Sequence, residues 1–565
     1  MATEPLKRSV RNAAAGAPEW ARRFTASLST PGLLTGTLLF AASLSPSLLP
    51  RDWAMQGIVS GLALASGYGI GVVYRWVWSY LELPLPAPRT QRIILWCAAG
   101  VSVATALVFL WQASEWQNSI RRLMELEPVD TRRPVRVGGI AVLLFSVALA
   151  LARLFHLTFR FVSGRLGRGV PRRVANLVGL VLAVAVFWSV LDGVFFRYAL
   201  EAADRSFQRV DAAMETDLEP PTEPMRTGSA ASLVDWRSLG RTGRDFVSSG
   251  PRSEDLDAFF DGNQTAEPLR VYVGLNAAET IEERVALALQ ELERVGAFER
   301  SVLIVVTPTG TGWVDPKAMS AVEYLHRGDV ASVAVQYSYL PSWLSLLVEP
   351  QYGADTADAL FDAVYSRWTE LPADDRPELY LHGLSLGALN SQQATDFYDI
   401  IADPFDGALW TGPPFRSETW RSLTRQRDPA SPAWLPRFRD GSIVRFMNQN
   451  GTSSPPAAEW GPVRMLYLQY ASDPITFFEP AALYRTPEWM EEPRGPEIAE
   501  ELRWYPVVTM MQLAADLAVG DTAPPGYGHV YAFEDYIDAW LEVTDPPGWT
   551  AEGIERLKAL HVDQR

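Results

Sequence analysis

The chain has 565 residues, 48% of them apolar, with 20 Trp, one Cys, five His and a net charge of −16. That length exceeds a single domain, the lone Cys97 excludes a disulfide framework or a cysteine metal site, and the histidines show no H-E-x-x-H or H-x-H spacing, so no metal and no cofactor is expected. The charge is divided, with 21 Lys+Arg against 9 Asp+Glu in residues 1–200 and 29 against 57 in the rest; a basic, apolar first third is joined to an acidic remainder whose bulk charge excludes nucleic acid as a partner.

Five apolar stretches run about Leu33–Leu49, Ala54–Tyr74, Ile93–Trp111, Val137–Ala152 and Val174–Phe196. Most approach the ~20 residues that span a bilayer. Trp53, Tyr74, Trp76, Trp78, Trp111 and Trp116 sit near their ends, as interfacial anchors do. Residues 1–200 are therefore expected to form an α-helical transmembrane bundle of about five spans, with the lipid bilayer as partner. The basic lead before the first stretch (Lys7, Arg8, Arg11, Arg22, Arg23) fits a signal peptide. The stretch runs on into Ser-Pro-Ser-Leu-Leu-Pro-Arg51, with no small-x-small cleavage site, so it reads as a span. Arg153, Arg160, Arg165, Arg168, Arg172 and Arg173 cluster between the fourth and fifth stretches. That loop is placed in the cytoplasm, which puts everything after the fifth stretch outside. Cys97 reads as a small apolar residue of the third stretch, and Asp192 as an intramembrane or interfacial carboxylate.

Residues 201–265 are polar and rich in Pro and Gly, a connector partly packed on the C-terminal domain. From 266 to 565 short apolar runs alternate with helical stretches. Strands are expected at Leu269–Val273, Val302–Thr307, Ser332–Tyr337, Glu378–His382, Gly407–Trp410 and Val463–Tyr470. Helices are expected at Thr280–Val295, Asp355–Glu370, Leu386–Tyr398, Gly495–Trp504, Val507–Val519 and Tyr531–Val543. This alternation predicts a mostly parallel sheet with helices on both faces and a site at the strand C-termini.

One such terminus carries Leu379-Tyr-Leu-His-Gly-Leu-Ser-Leu-Gly-Ala-Leu389. Gly383-x-Ser385-x-Gly387 between a strand and a helix is the context of a nucleophile elbow. Ser385 would sit on a strained turn, and side chains at Gly383 and Gly387 would collide with strand and helix. A serine nucleophile needs a base, and the base an orienting acid. His529, in the loop Pro524-Pro-Gly-Tyr-Gly-His-Val-Tyr531, is the expected base. His382 lies on the strand and packs beneath the elbow, His326 precedes the relevant strands, and His561 is terminal. Asp473 ends its strand directly and is the expected acid, with Asp403, Asp406 and Glu479 as alternatives. Ser385…Asp473…His529 is the α/β-hydrolase order. The oxyanion hole would use the N–H of Leu386 and a second donor from Thr309, Gly310 or Thr311 in the glycine-rich Thr307-Pro-Thr-Gly-Thr-Gly-Trp313. That loop lacks the G-K-[ST] of a phosphate cradle. Segments 412–460 and 475–526 are aromatic- and methionine-rich and are expected to cover the substrate as lids.

With these residues in hand, the chain resembles the actinobacterial membrane-bound α/β-hydrolase proteins, which join an N-terminal multi-span domain to a C-terminal α/β-hydrolase domain. The likeness lies in that layout, in Ser-Leu-Ser-Pro-Ser-Leu-Leu-Pro-Arg51, Thr307–Trp313, His382-Gly-Leu-Ser-Leu-Gly387 and Tyr527-Gly-His-Val530. It implies a serine-hydrolase-like site and supplies no substrate; the arginine placement puts that site on a membrane-held, extracytoplasmic domain, where an ester or lipid of the cell envelope is the expected substrate. It admits three activities: an esterase or lipase, an acyltransferase using the same acyl-enzyme, or a non-catalytic scaffold with a hydrolase-like domain. Neither the acyl group nor the oligomeric state is encoded in a motif.

Overall fold

The computed structural model describes residues 28–129, 133–189, 211, 218–262, 265–341, 345, 351–394, 403–452 and 458–560. The chain divides into two compact units. The first holds residues 1–184 together with 480–486 and 499–516, and the second the remainder.

In the first unit, α1 (Thr30–Ser43), α2 (Trp53–Tyr80), α3 (Pro88–Leu123) and α4 (Arg133–Leu166) run in order, followed by α5 (Arg172–Trp188), which belongs to it as far as Val184. Ser29 and Asp52 cap α1 and α2 by accepting the N–H of Gly32 and Met55, which satisfies otherwise orphaned donors. Small residues let the α1 and α2 backbones touch. A Cβ on Gly67 or Gly71 would come within 2.5 Å of Thr35 O or of the Pro31 carbonyl, the close approach a small-xxx-small pair permits between apolar helices. Phe40, Leu44, Ala113, Val137 and Ala141 form the core of this unit.

Among the described residues three helices, α2, α3 and α4, are long and apolar enough to cross a membrane. Their outer faces expose Trp76, Trp96, Leu143, Phe161 and, at 81%, Trp111. Apolar surface on that scale is disfavoured in water and at home in hydrocarbon. The count corrects the expected five. The first stretch forms a helix of only 14 residues, about 21 Å against a ~30 Å hydrocarbon core. The fifth is helical for 17 residues as far as Trp188, and Asp192 lies outside the described residues.

The second unit is built on an eight-stranded sheet: β1 (Leu269–Val273), β2 (Val302–Thr307), β3 (Val330–Val335), β4 (Glu378–Leu384), β5 (Gly407–Thr411), β6 (Val444–Asn448), β7 (Gly451–Thr452) and β8 (Arg464–Leu468). Their order is β1-β3-β2-β4-β5-β8-β6-β7, and every pair is parallel except β6–β7. The near-continuous apolar strands reflect burial on both faces. Helices α6 (Ile281–Arg294), α7 (Pro316–Leu325), α8 (Tyr352–Thr369), α9 (Leu386–Gln393) and α10 (Phe533–Thr544) flank it. α6, α8 and α9 pack together against β1–β4, while α7 packs on α10, which lies on β5 and β8.

Several elements differ from expectation. Segment 412–460 contains β6 and β7, which extend the sheet. Arg445 hides β6 in the sequence by interrupting an apolar run, yet it is buried against Trp460 and Glu542. Residues Gly495–Trp504 make isolated turns and no helix, with Ile498 N bonded to Gly495 O and Leu502 N to Ala499 O. Pro493 and Pro496 remove donors there. Helix α7 is additional to the expected elements; Asp315 caps it by accepting Lys317 N–H, with Pro316 in its first turn, a pre-organised start.

Candidate active site

β4 runs into α9 through a single residue, Ser385, at φ 57° and ψ −121°. That is left-handed space a serine occupies only under constraint. The glycines on either side explain the constraint. A Cβ on Gly383 would lie 2.4 Å from the Gly387 carbonyl carbon, and one on Gly387 would lie 2.1 Å from Thr307 O. The turn is thus wedged between its own helix and the end of β2. Ser385 N–H donates to Thr411 O at 3.0 Å, tying the elbow to the end of β5.

The residue after that anchor, Gly412, has φ 50°, and a Cβ there would meet His529 Cε1 at 2.7 Å and Asp473 Oδ2 at 3.0 Å. The end of β5 therefore holds Ser385 on one side and the His529–Asp473 pair on the other. His529 Nδ1 lies 2.8 Å from Asp473 Oδ2. A carboxylate at that nitrogen fixes the tautomer with Nδ1–H donating. His529 Nε2 is buried and has no hydrogen-bond partner among the described residues, so its lone pair is open to a proton. Burial disfavours the imidazolium, but the carboxylates around it, Asp473 foremost with Asp521 and Asp315, together raise the His529 pKa above the ordinary histidine value.

Asp473 begins a short helical turn (Pro474–Phe477) and accepts Ile475 N–H at 2.8 Å. Its Oδ2 also accepts the Tyr531 hydroxyl at 2.8 Å and that of Thr476 at 3.3 Å. The carboxylate is fully buried and its position is fixed from four directions. The alternative acids are engaged elsewhere: Asp403 pairs with Arg376, and Asp406 accepts Leu379 N–H at 2.7 Å. His382 is buried against Tyr536 and Trp540, with Nδ1 2.9 Å from Leu409 O; burial lowers its pKa to about 4. His326 bonds Thr544 and is likewise lowered to about 4 by burial. His561 lies outside the described residues.

Both the strand–elbow–helix unit and the N-terminal segment match known family models. One, described as an alpha/beta-hydrolase family, covers residues 269–557; the other, described as the N-terminus of an alpha/beta-hydrolase family, covers 44–251. The chain belongs to this alpha/beta-hydrolase family. No curated protein and no solved structure matches it.

In this alpha/beta-hydrolase the Leu386 N–H opens α9, among the first-turn donors that a helix leaves unsatisfied. The Thr307–Trp313 loop succeeds β2, the neighbour of β4, and Thr307 pairs with Gly383. Thr309 N–H is spent within that loop on Trp313 O at 2.9 Å. The Thr309 amide is thus engaged within its own loop, and its hydroxyl lies 3.4 Å from that of Thr311. Thr242 and Gln336 bond Thr311 O, and Tyr272 bonds Gly312 O, which hold the Gly310–Thr311 stretch in place.

Sequence reasoning misses Gly412, Tyr531 and Asp315. Tyr531 stands only two residues after His529, just past the turn that His529 occupies, and its hydroxyl reaches the same carboxylate. Asp315 accepts the Tyr536 hydroxyl at 3.1 Å, and its charge adds to the field that raises His529. Gly412 carries no local signal, because the groups it avoids come from far along the chain. Beside the site, Phe415 packs edge-on against Phe478 at 4.9 Å and Trp420 against Phe477 at 5.9 Å, and Phe415 N–H donates to Ile475 O. The segments after β5 and β8 thus meet as an aromatic wall. A separate cavity of about 1100 Å³, lined by Arg445, Trp460, Arg464 and Glu542, contains none of these residues.

Proposed function

We propose that the protein is a membrane-anchored serine hydrolase that cleaves carboxylic esters through an acyl-Ser385 intermediate. The observation that carries this is the strained Ser385 elbow bonded to the end of β5, where the buried His529–Asp473 pair also sits. His529 Nε2 takes the Ser385 proton as Oγ attacks the ester carbonyl, and Asp473 stabilises the imidazolium. The developing oxyanion meets the N–H of Leu386 and a donor of the 309–311 stretch. Collapse expels the alcohol with the proton from His529. Water, deprotonated by the same nitrogen, then attacks the acyl-enzyme and releases the acid.

The aromatic wall of Phe415, Phe477 and Phe478 supports an apolar acyl group as substrate, in keeping with lipid or envelope esters. Helices α2–α4 support anchoring in a bilayer. The arginines between Arg153 and Arg173 favour the cytoplasmic side, and an extracytoplasmic hydrolase domain requires the chain to cross once more after Arg173. Purified Ser385→Ala is expected to lose hydrolysis of a short-chain nitrophenyl ester by about 10³-fold or more. Unchanged hydrolysis by that variant overturns the proposal.

A further inference from the structure

The residues joining α1 to α2, Ser43-Leu-Ser-Pro-Ser-Leu-Leu-Pro-Arg51, are far from the site in sequence and almost wholly buried. They bond to Gln512 and Asp516 of the helix Val508–Leu517, which lies between the acid and the base in the chain. Arg51 Nε meets Asp516 Oδ1 at 2.9 Å, with both side chains fully buried. Ser47 Oγ donates to the same oxygen at 3.0 Å and Leu48 N–H to Asp516 Oδ2 at 3.1 Å. Gln512, one turn earlier, donates to Ser45 O at 2.9 Å and Ser43 O at 3.3 Å. Arg51 is itself held: Nη1 donates to Gln56 at 3.2 Å, Nη2 to Ser47, and its backbone N–H to Gln117 at 3.0 Å. A guanidinium with this many partners has one geometry available to it.

Such a network, with both oxygens of a buried carboxylate matched, fixes whatever it touches. It touches the end of a helix. Four residues after Asp516, Gly520 O accepts the backbone N–H of His529 at 3.0 Å. A Cβ on Gly520 would lie 3.3 Å from Pro474 Cγ and 3.5 Å from His529 Cβ. The Gly520 turn therefore backs both the base and the residue next to the acid.

We propose that Arg51 and Asp516 are positioning residues for the hydrolase site: the Ser43–Arg51 loop fixes the end of the Val508–Leu517 helix and so sets the Gly520 turn on which His529 hangs. The membrane-side segment is then a working part of the enzyme as well as its anchor. This rests on the proposed role of His529 as base.

The test uses the full chain in detergent micelles and compares wild type with Asp516→Asn, Arg51→Gln and Arg51→Lys. Two readouts are taken: nitrophenyl-ester kinetics and amide hydrogen exchange over residues 518–531. Asp516→Asn and Arg51→Gln are expected to lower kcat about tenfold with KM within about twofold, and to speed exchange in 518–531 ahead of the rest of the second unit. Arg51→Lys, which keeps the charge but not the fork, is expected to fall between them and wild type. Folded variants with wild-type kcat and wild-type exchange in 518–531 overturn the proposal. So does a loss accompanied by faster exchange everywhere, which marks simple destabilisation. If Asp516→Asn does not fold, Arg51→Lys is read by the same outcomes. An inactive wild type overturns the hydrolase reading instead, and the exchange comparison then decides the linkage alone.

Discussion

Ser385 holds a backbone conformation that costs a non-glycine residue about 1–3 kcal/mol, and the surrounding structure enforces it through Gly383, Gly387 and the bond to Thr411 O. Strain of that kind persists where a side chain must be presented. His529 makes the residue-scale chemistry testable by pH. Its burial opposes the proton, the carboxylates of Asp473, Asp521 and Asp315 favour it, and the net shift is upward. A base works only when neutral, so kcat/KM is expected to fall as pH drops through a value above the ordinary histidine pKa of about 6.5. Asp473→Asn removes the foremost of these charges and leaves the burial. Its acid limb is expected to move to lower pH, with kcat down about 10⁴-fold through loss of the correct tautomer. A limb that stays in place in that variant removes Asp473 from the assignment.

At the scale of elements, the end of β5 organises the site. Gly412 at φ 50° leaves space that a single methyl would fill, 2.7 Å from His529 Cε1. Gly412→Ala is expected to displace the imidazole and lower kcat about 10²-fold, while thermal unfolding shifts by only a few degrees. Equal activity in that variant contradicts the close approach. Much of this element pattern is legible in the sequence. Gly383-x-Ser385-x-Gly387 between an apolar run and a helix former locates the elbow, and the β1–β5 and β8 runs are apolar because they are buried on both faces. The hidden part is non-local. Arg445 breaks the apolar run of β6, and the partner that accommodates it, Glu542, lies 97 residues away. Gly412 and Tyr531 matter through contacts made only once β5, β8 and the 520–531 loop come together. The commitment of Thr309 N–H to Trp313 O comes from a loop closure that composition does not specify.

For the whole molecule, the split between a basic first third and an acidic remainder corresponds to two units, but the chain does not divide cleanly between them. Residues 480–486 and 499–516, which lie between the acid and the base in sequence, belong to the unit formed by residues 1–184. No hydropathy window could reveal this, because the link depends on single polar contacts such as Arg51 with Asp516. A fragment of residues 266–565 is therefore expected to be poorly soluble and to lack esterase activity, whereas the full chain stays in the membrane pellet through an alkaline carbonate wash. A soluble, fully active fragment contradicts that dependence. Among the described residues fewer helices than the expected five are long enough to span, and α1 shows why: 14 residues reach only about 21 Å.

The measurement that bears most directly on the central claim is labelling of the folded, full-length protein with a fluorophosphonate, and then peptide mapping. A serine nucleophile at the elbow predicts one adduct, on Ser385, absent from Ser385→Ala and slowed when His529 is protonated at low pH. A folded protein that takes no label, or takes it on another residue, contradicts the assignment of Ser385 as the nucleophile.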